Sequence, residues 1–434
     1  MSVLFTNAIV LTMDASRTPL KNAFVGVEGE RIVFVGTSRP QGHFDREIDC
    51  AGKVLLPGFV NAHTHLPMTL MRGFAGGHDL HSWLNDYIFP TEARLDDRAV
   101  AAGAALGLAE MIATGVTCVA DMYMRTGVIA EEIVKAGLSA NLSCGGVYFG
   151  AEEDFSQDNC GDCRNQRQLT EQWHGYNGGQ IRVDASIHAE YTSNAPLWRW
   201  MADYGREHGL RMHVHVSETV SEHHGSIERN GATPLQALDR YGVWDNGGIA
   251  AHCVYTTPED WQLMKDKGVT CVHNPWSNLK LGSGIAPIPG MKQAGVNVAL
   301  GSDGMSSHNG ADLFSDMKLA ACLPCGAQRD PLAMGAWDAL EMATVNGAAA
   351  LGRTDTGRVA EGCVADLILV DLSAPNLTPC HDPAQLLVYS AQPSNVVMNM
   401  ARGQVIYENG VFSTIDLARV RAEVEEYALP LLFG

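Results

Sequence analysis

Apolar positions at the start of the chain fall in short runs broken by turn residues: Val3-Leu4-Phe5, Ala8-Ile9-Val10-Leu11, Phe24-Val25-Gly26-Val27 and Arg31-Ile32-Val33-Phe34-Val35. Runs of this length predict β-strands, because no helical period competes with them. The same texture returns over residues 365–370, 396–398 and 404–407. The two chain ends are therefore expected to meet in one small β-sandwich domain, residues 1–56 with 358–415, followed by a C-terminal helix over 416–434.

Between the ends the pattern changes. Eight β-rich runs, at 58–62, 116–121, 138–147, 181–188, 210–216, 248–252, 269–273 and 296–303, alternate with longer stretches. Five of those stretches (98–114, 195–208, 233–241, 258–267 and 313–322) carry apolar residues at a spacing of three to four, the helical signature. Alternation of this kind predicts parallel βαβ units, and eight of them predict an α/β fold with a (β/α)8 barrel over 57–357. Such a barrel places its active site at the C-terminal ends of the strands. Residues 150–179 are polar and irregular, and are expected to form a lid or specificity loop with one or two helical turns.

Charge narrows the partners. Lys and Arg number 30 against 49 Asp and Glu, a net of −19 with no basic run, which argues against nucleic acid and anionic membrane surfaces. No segment approaches the length of a membrane span, and the N-terminus lacks a basic stretch before an apolar one. A small-molecule substrate and a cytoplasmic setting are expected. Eleven cysteines, an odd count, lie mostly in apolar segments and fit reduced thiols better than a disulfide framework. The pairs Cys160/Cys163 and Cys322/Cys325 are too far apart and out of context for a zinc ribbon or a redox motif.

The chemistry sits at the predicted strand ends. His63 and His65 form H-x-H, and alternate residues of a strand point to one side, so both imidazoles can reach one ion. The fifth, sixth and eighth runs end on His215, His252 and Asp303. His63, His65, His215 and Asp303 offer three neutral nitrogens and a carboxylate, a set for zinc or ferrous iron and not for magnesium or calcium. One position stays open for water, whose pKa such an ion lowers towards ~7. Glu218, three residues past His215, can reach in as a proton donor. His213 shares a face with His215 but lies one layer deeper, where packing is expected. His188-Ala189-Glu190 imitates the H-x-E of cytidine-deaminase zinc sites, yet the required P-C-x-x-C does not follow.

These residues lie in a set of motifs: Pro57-Gly58-Phe59-Val60-Asn61-Ala62-His63-Thr64-His65 with Arg72-Gly73, His215-Val216-Ser217-Glu218, Ala251-His252-Cys253, His273-Asn274-Pro275 with Ser277-Asn278 and Lys280-Leu281, Gly301-Ser302-Asp303-Gly304, and Gly362-Cys363-Val364-Ala365-Asp366-Leu367. Together they resemble the amidohydrolase superfamily over nearly the whole chain, specifically its mononuclear cyclic deaminases and triazine hydrolases. The resemblance implies a barrel set in a small β-sandwich, one divalent metal on His63, His65, His215 and Asp303, and His252 orienting the hydrolytic water. It implies one metal because His188 stands where dinuclear relatives carry a bridging carboxylated Lys. It also implies a homo-oligomer.

Within that superfamily the segments His65-Leu66-Pro67-Met68-Thr69-Leu70 and Trp83-Leu84, followed by Glu92, resemble the 5′-methylthioadenosine and S-adenosylhomocysteine deaminases. In that resemblance Trp83 packs near the nucleoside, Glu92 binds ribose hydroxyls and His188 touches substrate. Relatives acting on the homocysteine adduct hold its tail with arginines, none of which occurs over 148–161 here; Arg164 and Arg167 are the available substitutes. The implied reaction is hydrolytic deamination of adenosine, methylthioadenosine or the homocysteine adduct, with Glu218 protonating N1 and Asp303 and His252 managing the water. Other readings are a deaminase of guanine, a pterin or cytosine, a triazine chlorohydrolase, and a barrel without catalysis.

Overall fold

The computed structural model describes residues 2–434. Nine strands from the two chain ends form one sheet, in the order Val411–Phe412, Gln404–Glu408, Val396–Ala401, Leu367–Asp371, Lys53–Pro57, Ser2–Val10, Leu20–Glu28, Arg31–Gly36, with Arg46–Asp49 also paired to Ser2–Val10. The join between the ends is antiparallel, Lys53–Pro57 against Leu367–Asp371, and puts Leu55 opposite Leu369. Alternate residues point inward, so Val3, Phe5, Val25, Val27, Leu367, Leu369, Met398 and Met400 pack as a core of their own. Burying side chains of this size stabilises by roughly 1.5–3 kcal/mol each.

The chain leaves this sheet through Gly58, where a Cβ would fall 2.2 Å from Thr117 Cγ2; only glycine permits that approach. It then enters two five-stranded parallel sheets. One runs Asp303–Gly304, Phe59–His65, Val116–Met122, Ser139–Ser143, Ile181–Val183; the other runs Ala185–Ala189, Met212–Val216, Gly248–His252, Val269–His273, Val298–Leu300. Two stretches, 181–189 and 298–304, contribute a strand to each sheet. Gly146 also bridges to Ile187, between the sheets. Every strand of Met212–Val216, Gly248–His252 and Val269–His273 is buried on both faces, as helix-covered parallel strands require.

The helices Ala195–His208 and Pro258–Lys267 have the expected bounds, and Asp97–Ala113 differs by one residue at each end. Leu313–Gln328 runs past Pro324. The expected irregular loop over 150–179 is corrected: it holds a 13-residue helix, Gly161–Trp173, and a short turn at Glu152–Asp154. That helix buries Cys163, Gln166, Leu169 and Thr170, a one-sided stripe in which two members are polar. The C-terminal stretch is helical from Leu417 to Phe433 and lies on Asp97–Ala113, with Arg98 Nε 2.7 Å from Glu423 Oε2 and Arg94 Nη1 donating to Leu432 O at 2.7 Å.

Candidate active site

The C-terminal ends of the parallel strands converge on one cavity of about 440 Å³. Four of the residues there or next to them leave ordinary backbone space: Ser217 (φ 50°), His252 (φ 74°), Cys253 (φ 53°) and Asp303 (φ 60°). A left-handed non-glycine residue costs on the order of 1–2 kcal/mol.

His63 and His65 come from Phe59–His65, His215 from Met212–Val216 and Asp303 from the last strand. His65 Nδ1 donates to Met122 O at 2.5 Å, and His215 Nδ1 donates to His188 O at 2.7 Å. Both rings therefore turn Nε2 towards the cavity, and the two Nε2 atoms lie 3.4 Å apart. His63 Nδ1 lies 2.8 Å from His213 Nε2, while its own Nε2 is buried with no hydrogen-bond partner. Asp303 turns Oδ1 towards this cluster, 3.4 Å from His63 Nε2 and 3.2 Å from His65 Nε2. Its Oδ2 is occupied, accepting from Ser277 Oγ at 2.6 Å and Ser307 Oγ at 2.9 Å.

Three imidazole nitrogens and a carboxylate oxygen thus face one another, and Asp303, working against burial, raises the His65 pKa to about 9. That donor set fits a divalent cation of the zinc type. Ligand-distance geometry alone groups His63, His65 and Asp303, and also His63, His215 and His252. Burial holds His63 neutral, its pKa lowered to about 3, and lowers His215 well below the usual histidine range. Burial opposes the charge on Asp303, but the imidazoles of His63, His65 and His252 beside it outweigh burial and hold its pKa well below the usual carboxylate range.

Glu218 and His252 stand beside the cluster, with His252 Nε2 3.7 Å from Glu218 Oε2. Asn278 Oδ1 accepts from His252 Nδ1 at 2.8 Å, which presents the Nε2 lone pair to the cavity. Burial raises the Glu218 pKa, and Ser283 Oγ donates to its Oε1 at 3.2 Å. On the opposite wall Trp83 and Glu92 are both buried and both line the cavity. Glu92 accepts from Tyr123 Oη at 2.5 Å, and burial lifts its pKa to about 7. His188 also lines the cavity, its pKa lowered by burial to about 4.

His65, Trp83, Glu92, His188, His215, Glu218, His252 and Asp303 line the cavity and His63 is buried beside them, 3.4 Å from Asp303 Oδ1, but Arg164 and Arg167 are elsewhere. Both turn to Asp158, and the cavity is lined without them. Glu190 of the H-x-E look-alike is buried against Arg229 Nη2 at 2.5 Å, away from the cavity. The sequence reads His213 only as a packing residue and leaves Glu222 unmarked, yet both have structural hold on the site. His213 continues a chain from His63 to Ser143 Oγ, 3.2 Å from its Nδ1. Glu222 accepts from the backbone N–H groups of Ser217 (2.8 Å) and Glu218 (2.7 Å), fixing the turn that carries Glu218. Thr219, which caps the helix Val220–Asn230 three residues before Glu222, was the available signal.

Residues 54–406 match the family model described as Amidohydrolase family. The chain belongs to the amidohydrolase family. This amidohydrolase is 38% identical over 436 residues to 5-methylthioadenosine/S-adenosylhomocysteine deaminase of Acetivibrio thermocellus, covering 100% of both chains. It is 38% identical to 5′-deoxyadenosine deaminase of Methanosarcina mazei, covering 99% of this chain and 98% of that one. Among solved structures, an adenosine deaminase from Xanthomonas campestris with bound zinc superposes with a TM-score of 0.93 at 32% identity, over 99% of this chain and 98% of that one. No helix among the described residues is long and apolar enough to cross a membrane.

Proposed function

We propose that this amidohydrolase is a metal-dependent deaminase of adenine nucleosides, converting adenosine, 5′-methylthioadenosine and related 5′-substituted adenosines to the inosine-type product and ammonia. The observation that carries the reading is the cluster in which His63 and His65 face Asp303 Oδ1 and His215 faces His65, beside a cavity lined by Glu218, His252, Trp83 and Glu92. The names of its relatives support the substrate class. Its fold is read as a (β/α)8 barrel over 57–357, closed through the two stretches that contribute to both parallel sheets, with the end strands of 1–56 and 358–415 as a β-sandwich and 416–434 as a terminal helix. Eleven unpaired thiols fit a reducing, cytoplasmic setting.

His63, His65, His215 and Asp303 would hold one zinc ion, which supplies the acidity that makes water nucleophilic near neutral pH. His252 Nε2 and Asp303 orient the attacking water over C6 of the adenine. Glu218, whose pKa burial raises, donates to ring nitrogen N1 and makes C6 electrophilic. Asp303 takes the water's proton and passes it to the departing amine. Trp83 packs against the nucleoside, His188 contacts the base, and Glu92 accepts from the ribose hydroxyls.

Glu218→Gln keeps the shape of the side chain and removes its exchangeable proton. The variant is expected to retain its metal while turnover of 5′-methylthioadenosine falls at least about 10²-fold, the scale of general acid catalysis. Metal content and ammonia release on one preparation decide it. A metal-loaded variant with wild-type turnover would take Glu218 out of the mechanism.

A further inference from the structure

The cavity wall carries one charged group that the proposed reaction does not use. Its lining carboxylates are Glu92, Asp162, Glu218 and Asp303, and among the described residues no Lys or Arg lines it. Asp303 and Glu218 serve the chemistry and Glu92 the ribose. Asp162 remains.

Asp162 lies in the first turn of the helix Gly161–Trp173. Its Oδ2 accepts from Val147 N at 2.9 Å and its Oδ1 from Asn165 Nδ2 at 3.2 Å, so its position is held by two donors, neither of them a cation. The side chains around it on the cavity wall are apolar: Met124, Cys144, Val147 and Phe149. Burial pushes the Asp162 carboxyl above its usual range, against those two hydrogen bonds. A carboxylate in that position gains most from a cationic ligand and loses most from an anionic one.

Its location says which part of a substrate it meets. A second cavity of about 400 Å³ adjoins the first and shares Met124, Cys144 and Asp162 with it. Asp162 thus stands at the passage leading away from the histidine cluster. Arg125 lines only that second cavity, and its guanidinium is paired with Asp97. With the adenine at the histidine cluster and the ribose hydroxyls on Glu92, the 5′ substituent is the part directed to the passage.

We propose that Asp162 sets the charge specificity of the 5′ subsite: it favours adenine nucleosides with an ammonium or neutral 5′ group and rejects those with a 5′ anion such as a phosphate or carboxylate. The proposal rests on the nucleoside-deaminase reading above. It also places the substrate's supply with reactions that leave a neutral or aminated 5′ carbon on adenosine, and not with those that leave a nucleotide.

The test compares kcat/KM for 5′-amino-5′-deoxyadenosine, 5′-deoxyadenosine and adenosine 5′-monophosphate at pH 7, in the wild type and in Asp162→Asn. For the wild type, the amine is expected to exceed the 5′-deoxy compound by about tenfold or more, the contribution of one hydrogen bond between charged groups, and the phosphate to fall well below both. In Asp162→Asn the amine-to-deoxy ratio should fall towards one and the phosphate should gain. Reading ratios within each protein cancels any general loss of activity, and if the variant fails to fold, the wild-type ranking alone decides. Turnover of 5′-deoxyadenosine with no preference for the amine, or with the phosphate as good a substrate, overturns the role of Asp162 and leaves the deaminase reading intact. No turnover of any of the three by metal-loaded wild type, nor of 5′-methylthioadenosine, overturns both.

Discussion

Each of the three imidazoles proposed to hold the metal has its Nδ1 engaged by a fixed partner, and this is what frees Nε2. For His65 and His215 the partner is a backbone carbonyl, but for His63 it is His213, which must itself be held by Ser143. An acceptor on the far side of a ligand ring fixes its tautomer and raises its basicity, and losing one typically weakens metal binding 10–100-fold. His213→Phe is therefore expected to lose about 10–100-fold in zinc affinity, read by competition with a chromogenic chelator. Unchanged affinity would reduce His213 to a space-filling residue. The alternation of a strand made His213 visible as a neighbour of His215, but a two-residue period cannot distinguish a ring that packs from one that hydrogen-bonds to the next strand. Glu92 supplies a second prediction at this scale. Its pKa, lifted by burial to about 7, means that the carboxylate form recruited by ribose hydroxyls is lost as pH falls through that value. KM for ribosides should rise on acidification through about pH 7 in the wild type and be flat in Glu92→Gln. The same shift acts on stability with the opposite sense: folding is favoured by the protonated carboxyl, so Glu92 lowers stability as pH rises from 4.5 to about 7. A wild-type KM that ignores pH across that window would remove Glu92 from ribose binding.

Among the elements, the helix Gly161–Trp173 shows why an amphipathic pattern can hide. Its buried stripe, Cys163, Gln166, Leu169 and Thr170, has helical spacing, but two of its members are polar, with Thr170 Oγ1 donating to Gln166 O at 2.8 Å and Gln166 Nε2 donating to Thr170 Oγ1 and Asp184 O, both at 3.3 Å. A search for apolar periodicity passes over such a face. The segment carrying Trp83 and Glu92 contains another irregularity, a π turn at Trp83–Ile88 two residues before Pro90, and a second π turn, Glu423–Ala428, likewise precedes Pro430. Proline lacks the N–H and crowds the carbonyl four residues back, and a widened turn relieves both. At the opposite end of the strands from the site, Arg353 binds the starts of two of them. It is buried and donates to Ala140 O at 2.6 Å, Gln180 O at 3.0 Å, Gly179 O at 2.9 Å and Asn141 Oδ1 at 3.0 Å. Arg353→Met would leave these acceptors without their donor, at about 1 kcal/mol or more each, so a loss of about 3 kcal/mol or more is expected in urea unfolding. A loss under about 1 kcal/mol would mean that backbone or water replaces the guanidinium there.

For the whole molecule, the meeting of the two chain ends and the alternation between them were legible because apolar runs changed length and period where the architecture changed. The convergence of His63, His65, His215, His252 and Asp303 was legible because parallel strands deliver their last residues to one face. The break in the last strand between Leu300 and Asp303 was not, since both flanking strands read as one run in which only the φ of Asp303 betrays the turn. Binding of a metal to the folded chain alone should also stabilise it, by about 2.7 kcal/mol at a hundred times its Kd, so chelation is expected to lower Tm and zinc to restore it. The most direct test of the account is metal analysis of purified protein together with ammonia release from 5′-methylthioadenosine and adenosine on the same sample. The account predicts about one zinc or iron per chain, as a single open catalytic site requires, with ammonia and the inosine-type product formed in equal amounts and activity lost on chelation. A protein that carries its metal yet releases no ammonia from either nucleoside would contradict it.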